Sequence, residues 1–253
     1  LLKNIDIKKL KKDNNIFKNV DYVFHFAGIG DIVPSINKPD FYIETNLQGT
    51  VNILEASRYH KIKRFVYAAS ASCYGKTVKS TSEKNKINIE HPYALSKYLG
   101  ELAVFHWNKV FKLKVNSIRI FNAYGPRVRT TGSYGAVIGV FFKQKLSNYP
   151  LTIVGNGKQT RDFVHVHDVA KAFLAVAKSK ISGECFNVGT GKPQSVNKLA
   201  SILGGKKIFI PDRPGEPRNS SANINKIRKR VGWKPHISFE RGIKDMLSRI
   251  SDW

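Results

Sequence analysis

The sequence predicts an α/β protein with a doubly wound parallel sheet and a smaller C-terminal lobe. Three observations lead to this fold class: short apolar runs rich in β-branched and aromatic residues, amphipathic stretches between them, and a looser pattern rich in Pro and Gly past residue 125. Apolar runs without strict alternation are typical of strands that are covered on both faces. Strands that alternate with helices form parallel sheets.

Seven apolar runs are predicted to be strands: DYVFHFAG (21–28), KRFVYAAS (63–70), VNSIRIFN (115–122), LTIVG (151–155), DFVHV (162–166), ECFNVG (184–189) and KKIFIP (206–211). The stretches between and after them are predicted to be helices, at about 38–60, 92–111, 134–148, 167–179, 195–203, 223–231 and 238–250. The segment GNGKQTRDF (155–163) has the composition of a hairpin with an Asn-Gly turn.

The pattern also predicts the domain division. Residues 1–125 form the sheet domain, to which 160–190 return, and 126–253 mainly form the lobe. Ligands of open α/β sheets bind outside the carboxyl ends of the strands. A cleft between the sheet domain and the lobe is therefore the expected binding site.

The composition narrows the class of partner. The 253 residues include 43 Lys and Arg but only 18 Asp and Glu, which gives a net charge of +25. Such a charge suits anionic partners, but the lysines are spread along the chain without interleaved aromatic residues, which argues against nucleic acid and favours phosphorylated metabolites. No apolar run reaches the roughly 18–20 residues that a membrane span needs, so no membrane partner is expected.

The two cysteines, Cys73 and Cys185, form no metal-binding pattern. No metal is therefore predicted, and a reduced, cytoplasmic protein is expected.

A Tyr and a Lys four positions apart suggest acid–base chemistry. Tyr93 and Lys97 share one face of the predicted helix that Pro92 begins. An ammonium beside a phenol lowers the phenol pKa, so that the Tyr side chain removes a proton from a hydroxyl and later returns it. Ser70 ends a predicted strand where parallel sheets place their sites; its hydroxyl either holds the reacting oxygen or caps the next turn, and Ser72 is the nearby competitor.

Several spaced motifs together resemble one known family. FHFAG, NLQGTVNILEAS, FVYAASASCYG, PYALSK, RIFNAYGP, GNGKQTRDFVHVHDVA, FNVGTG and ANINKIRKRVGWKP occur in this order. They are similar to motifs of the extended short-chain dehydrogenase/reductases, in the branch of nucleotide-sugar epimerases and dehydratases. The resemblance runs from about residue 5 to the C-terminus. It implies a Rossmann-like sheet with bound NAD and a lobe that binds a nucleotide sugar.

The resemblance also assigns residues. Ser70, Tyr93 and Lys97 would be the catalytic set, with Tyr93 and Lys97 also touching the cofactor. Four further residues would line or brace the NAD site: Asp6, Ala27, Gly28 and Asn46. The structural alternatives are a helix N-terminal carboxylate for Asp6, a tight turn for Gly28 and a buried amide for Asn46.

On the substrate side, the resemblance places five residues at the nucleotide sugar. They are Ser72 near the sugar, Asn122 at the diphosphate or on the nicotinamide side, Arg161 and Arg213 as diphosphate clamps, and Glu216 at the nucleotide ribose. Arginine suits this role because its planar fork binds two phosphate oxygens at once.

The sequence departs from the family in one respect. The glycine-rich turn between the first strand and helix of a dinucleotide site does not occur, and Gly28 and Gly30 have the wrong spacing for it. We expect on the order of 50 to 60 N-terminal residues, about two strand–helix units, to be missing. The sheet would then lack its N-terminal strands, as a truncated record of a longer protein or as a natural fragment.

Dehydratases of this family carry an Asp-Glu pair where this chain has Ala71 and Ser72, neither of which can remove or supply a proton for dehydration. The expected reaction is therefore 4-epimerisation of a UDP-hexose by transient oxidation at C4. The alternatives are another oxidoreductase, dehydratase or decarboxylase of the family, or a non-catalytic protein with an NAD fold that regulates or associates with nucleic acid. A homodimer through the helices after NLQGT and at Tyr93 is expected by resemblance.

Overall fold

The structure is a computed structural model that describes residues 2–77, 80–130, 137–212 and 218–249. Its internal contacts divide the chain into two compact units. Unit 1 comprises residues 1–73, 87–120 and 172–186, and unit 2 comprises 74–86, 121–171 and 187–253. Within the described ranges, no helix combines the length and the apolar character that crossing a membrane requires.

The elements follow the predicted alternation. The strands are β1 (Tyr22–His25), β2 (Arg64–Ser70), β3 (Val115–Ile120), β4 (Asn122–Tyr124), β5 (Leu151–Val154), β6 (Thr160–Arg161), β7 (Phe163–His165), β8 (Glu184–Val188), β9 (Gln194–Ser195) and β10 (Lys207–Ile210). The α-helices are α1 (Ile32–Asn37), α2 (Pro39–Ile43), α3 (Gly49–Tyr59), α4 (Pro92–Phe111), α5 (Val137–Leu146), α6 (Val166–Lys178), α7 (Val196–Leu203), α8 (Asn225–Val231) and α9 (Phe239–Ser248).

Unit 1 is built on a parallel sheet in the order β1-β2-β3-β8. The central strand β2 pairs in parallel with β1, from Tyr22 opposite Arg64, and with β3, from Phe65 opposite Val115. Alternate side chains of β2 enter a core shared with α3 and α4, in which Phe65 and Tyr67 are fully buried. A strand covered in this way is the apolar, non-alternating kind that the sequence predicted.

The predicted helix at 38–60 is interrupted. It consists of α2, a π-helical turn at Glu44–Gln48 and α3. The turn contains one side chain, Asn46, that is almost completely buried. Apolar periodicity does not distinguish a π turn from an α turn, and such turns are frequent at functional sites.

Unit 2 is assembled from strand pairs. Strand β4 is parallel to β7 and β5 to β10, whereas β6 is antiparallel to β9. The expected hairpin at 155–163 is wrong, because the strands on either side of the Asn-Gly turn pair with partners elsewhere in the chain. Asp162 organises the following loops, since its carboxylate accepts hydrogen bonds from Thr190, Gly191 and Ala222 at 2.6–2.9 Å.

The unit boundaries differ from the sequence-based division in three places, the first of which is the start of the second unit at residue 121 and not at 126. Residues 74–86 belong to unit 2, where the backbone of Thr81 pairs with that of Ser221 and Asn223. The segment that returns to unit 1 is 172–186, shorter than the predicted 160–190. The backbone pairing of 81 with residues about 140 positions later is a long-range contact that composition does not reveal.

Candidate active site

Ser70 is the last residue of β2, at the carboxyl end of the sheet. The Ser72 hydroxyl donates to Ser70 Oγ at 2.8 Å, and the Ser72 backbone N–H also donates to it, at 3.2 Å. These two bonds hold the Ser70 hydroxyl, while Ser72 follows in a short 3₁₀ turn at Ala71–Tyr74. The structure thus makes Ser72 a partner of Ser70.

Tyr93 is the second residue of α4. Pro92 occupies the first turn, and His91 caps the helix by accepting the Ala94 N–H on Nδ1 at 3.1 Å. The Tyr93 ring lies parallel to the His91 ring, with centroids 5.9 Å apart, and meets the edge of Tyr42 at 6.4 Å. Cap and rings together fix the direction in which the phenol points.

The structure brings Tyr93 to Ser70. Burial raises the pKa of the Tyr93 phenol, a hydrogen bond with the Ser70 hydroxyl acts in the opposite direction, and the nearby Asp31 carboxylate raises the pKa further. A hydroxyl bonded to the phenol in this way stabilises the phenolate.

Lys97 lies one turn further along α4 and is only 7% exposed. Its ammonium lies over the face of the Tyr67 ring, 4.4 Å from the centroid. Burial lowers the pKa of Lys97 to about 7, and the Glu101 carboxylate acts in the opposite direction. The sequence argument treated this lysine as a full charge that lowers the Tyr93 pKa; the structure corrects that picture, because burial disfavours the charge itself.

Asn46 pins the loop after β1. Its Oδ1 accepts the Ile29 N–H at 2.8 Å, and its Nδ2 donates to Ile29 O at 3.0 Å and to Ser96 Oγ at 2.9 Å. A Cβ on Gly28 would lie 2.7 Å from Asn46 Oδ1 and 3.7 Å from Lys97 Nζ. Gly28 is therefore required by close packing, and Asn46 acts as a brace whose amide is already engaged.

A buried ion pair beneath the site was missed by the sequence reasoning. Glu101 Oε1 meets the Arg119 guanidinium at 2.5 Å, and Ser117 Oγ donates to Glu101 Oε2 at 2.7 Å. Glu101 and Arg119 are 1% and 6% exposed. The one available signal was the spacing of Glu101 four residues after Lys97, which places the carboxylate on the lysine's face of α4.

His25 is a second buried group that the sequence reasoning did not single out. Its Nε2 lies 2.8 Å from Thr50 Oγ1, and the Thr50 hydroxyl donates to Asn46 O. Burial, and next the charge of Lys97, lower the pKa of His25 to about 3. His25 is therefore neutral near pH 7, and it donates to Thr50, whose own proton is in use.

The remaining predicted residues belong to other elements of the chain. Ala27 and Gly28 are exposed in the loop after β1, and Asp6 caps the 3₁₀ turn at Ile7–Lys9 by accepting the Lys8 N–H at 2.9 Å. Asn122 and Arg161 belong to β4 and β6 of unit 2. Arg213 and Glu216 lie outside the described residues.

Comparison with protein-family models establishes the family to which the chain belongs. Residues 2–189 match the model of the NAD dependent epimerase/dehydratase family. The chain belongs to this family. Its membership confirms the resemblance and supplies the cofactor class, NAD.

Individual members of the family support the assignment. A protein of Methanocaldococcus jannaschii described as a putative UDP-glucose 4-epimerase is 37% identical over 259 residues, which cover 99% of this chain and 82% of that protein. The crystal structure of a UDP-glucose 4-epimerase with UDP-glucose from Thermotoga maritima is 28% identical, with a TM-score of 0.93 over 100% of this chain and 84% of its own.

A third member was solved with the cofactor. A UDP-glucuronic acid 4-epimerase from Bacillus cereus, in complex with UDP-glucuronic acid and NAD, is 29% identical, with a TM-score of 0.85 over 98% of this chain and 79% of its own. These likenesses confirm the Rossmann-like fold class.

The residues present fit the nicotinamide end of NAD. The loop after β1 offers exposed small residues, Ala27 and Gly28, where a Cβ on Gly28 would approach both Asn46 and the Lys97 amine. Small, exposed residues allow a cofactor to approach the main chain closely. Lys97, Gly28 and Tyr93 are accordingly the residues that would hold this end.

Proposed function

We propose that the protein is a UDP-hexose 4-epimerase of the glucose/galactose type. The observation that carries the proposal is that the Tyr93 phenol lies close enough to the Ser70 hydroxyl for that hydroxyl to oppose the rise in the phenol pKa, with the buried Lys97 one helical turn away. This is the arrangement needed to move one proton on and off a sugar hydroxyl beside the cofactor.

Bound NAD would supply the hydride acceptor, and later the hydride donor, for the sugar C4. Tyr93 removes the C4 hydroxyl proton as the carbon is oxidised to a ketone, and returns it after the sugar has turned over in the pocket. The Ser70 hydroxyl, oriented by Ser72, donates to the reacting oxygen. Lys97 and Gly28 position the cofactor ribose, and Asn46 maintains their spacing.

The substrate residues extend the proposal. Asn122, Arg161 and Arg213 would bind the diphosphate, Glu216 the nucleotide ribose, and Asp6 the adenine of NAD. A dehydratase needs further acid and base groups next to Ser70, but Ala71 and Ser72 occupy those positions. Epimerisation needs no such groups, which favours it over dehydration.

We further propose a homodimer formed through α3 and α4. On α4, Leu95 and Leu102 are 38% and 45% exposed, respectively. Apolar side chains on one exposed helix face are typical of a helix that packs against a partner. A cytoplasmic location agrees with Cys73 and Cys185, which form no disulfide with each other.

The proposal is tested by incubating the chain with NAD and UDP-galactose and following UDP-glucose by NMR. Tyr93→Phe is expected to reduce the turnover by about 10²–10⁴-fold, the usual contribution of a positioned acid–base group. Tyr149→Phe is the matched control, because Tyr149 is 70% exposed, and it should leave the turnover unchanged.

Calorimetry on the same samples establishes whether both ligands are bound. A chain that binds NAD and UDP-galactose but does not interconvert the sugars would overturn the proposal. Full activity of Tyr93→Phe would overturn the role of the phenol.

A further inference from the structure

A strongly basic concavity lies at the amino ends of β2 and β3 in unit 1, whereas Ser70 lies at the carboxyl end of β2. It has a volume of about 590 Å³, and its walls include the segments that lead into β2 and β3. Strand β2 runs from Arg64, which lines the concavity, to Ser70, six residues later. At a rise of about 3.3 Å per residue, the two ends are about 20 Å apart. The proposed epimerase site does not use this region.

Eight basic side chains line the concavity, and none of the described lining residues is acidic. Four of them have partners: Arg58 pairs with Glu55, Lys63 pairs with Asp21, and Arg64 and Lys112 donate to backbone carbonyls. The other four are exposed and form no ion pair within the described part of the chain: Lys61, Lys114, Lys178 and Lys180.

Helix dipoles offset part of this positive charge but not all of it. The concavity also lies at the C-terminal ends of α3, α4 and α6, where cations are stabilised. Each helix end carries about −0.5 charge, so three ends and the two paired acids offset about 3.5 of the eight positive charges. About 4.5 positive charges remain for a ligand.

The shape favours a compact ligand. A volume of about 590 Å³ lies within the usual range for small-molecule sites. A chain of three phosphates carries at least about one negative charge per phosphate, which matches the remaining positive charge. Nucleic acid spreads its charge along a rod, at about one charge per 1.7 Å of duplex axis, and would contact the rim alone.

We propose that this concavity binds a compact oligophosphate, a chain of three or more phosphates that is either free or attached to a nucleoside. Lysine ammonium groups on flexible stems adapt to the phosphates of such a chain. The inference does not depend on the epimerase proposal, because none of the residues involved belongs to that site.

The test is calorimetric titration of the full chain with inorganic tripolyphosphate in about 150 mM salt, an ionic strength at which diffuse surface charge is largely screened. Saturating UDP is present, so that binding at a nucleotide site does not contribute. ATP, orthophosphate and a single-stranded oligonucleotide without terminal phosphates are titrated in parallel.

The variant replaces Lys61, Lys114, Lys178 and Lys180 by Gln. The matched control replaces four other exposed lysines by Gln and removes the same net charge: Lys84, Lys192, Lys206 and Lys207. The variant should weaken tripolyphosphate binding about 30-fold, the product of four exposed ion pairs worth about twofold to threefold each. The control should weaken it less than twofold.

Stoichiometric binding with this difference between the variants supports the proposal. Competition by ATP shows that the site binds both free and nucleoside-linked oligophosphate. Lack of competition shows that it binds free oligophosphate alone. Equal weakening in the two variants, orthophosphate binding as tight as that of tripolyphosphate, or tighter binding of the oligonucleotide would overturn the proposal. Unchanged melting of both variants by circular dichroism establishes that they are folded.

Discussion

Local helix propensity predicts that Gly100→Ala stabilises the protein, whereas the structure predicts that it lowers the free energy of unfolding. In an open helix, Ala stabilises by about 1 kcal/mol relative to Gly. Gly100 lies in the interior of α4, where α4 crosses the sheet and the turn before α3. An added Cβ would overlap the Tyr67 hydroxyl and would lie 3.0 Å from the Asn46 carbonyl oxygen.

Neither group can move away. Tyr67 is fully buried, and the Asn46 carbonyl belongs to the main chain. Overpacking of a buried contact costs about 1–3 kcal/mol, and two immobile neighbours argue for the upper end of that range. After the propensity gain of about 1 kcal/mol, we expect a net loss of about 2 kcal/mol in the free energy of unfolding.

The assay is urea unfolding followed by circular dichroism. With a slope of about 2 kcal/mol per molar urea, the midpoint should fall by about 1 M. Gly30→Ala is the control, because a Cβ there meets nothing within 4 Å. Activity should also fall in Gly100→Ala, since the Tyr67 ring on which the added Cβ presses lies under the Lys97 ammonium. A Gly100→Ala protein as stable as the parent would refute the reasoning.

Two further predictions concern Lys97 and the dimer. Below about pH 7 the folded and unfolded chains both hold the Lys97 proton, but between about pH 7 and 10.5 the unfolded chain holds more. Relative to Lys97→Met, the free energy of unfolding of the parent should therefore rise with pH across that window, by at most about 1.4 kcal/mol per pH unit. Urea unfolding of both proteins at several pH values measures this difference. A difference that does not change with pH would contradict the prediction. Leu102→Glu should convert the dimer to monomer in sedimentation, whereas Leu174→Glu, on the exposed face of α6, should not; a parent that sediments as a monomer would exclude the dimer.

The sequence predicted most of the fold, and it predicted where along the chain Ser70 and Tyr93 lie relative to β2 and α4. β2 ends at Ser70 and α4 begins at Pro92, as the apolar run and the proline indicated, and the Tyr93 phenol meets Ser70. These features depend on local signals: burial of a strand on both faces, and the preference of proline for the first turn of a helix.

What could not be predicted depends on contacts between distant segments. The pairing of Glu101 with Arg119 joins a helix to a strand, and no spacing rule connects the two. The lowered pKa of Lys97 follows from how deeply α4 is packed, which the pattern of residues does not give. The π turn at Glu44–Gln48 has the same apolar pattern as an ordinary helix, so only the hydrogen bonds of Asn46 reveal its purpose.

That turn limits how the protein can be stabilised or shortened. A π turn holds about one residue more than an α turn, so deleting a single position from 44–48 would restore regular winding and would change the direction of the side chains within the turn. The amide that secures residues 28–30 would then face a different direction. Engineering aimed at a more uniform helix would consequently improve local geometry while releasing the loop at residues 28–30, which Asn46 holds from 17 positions later in the chain.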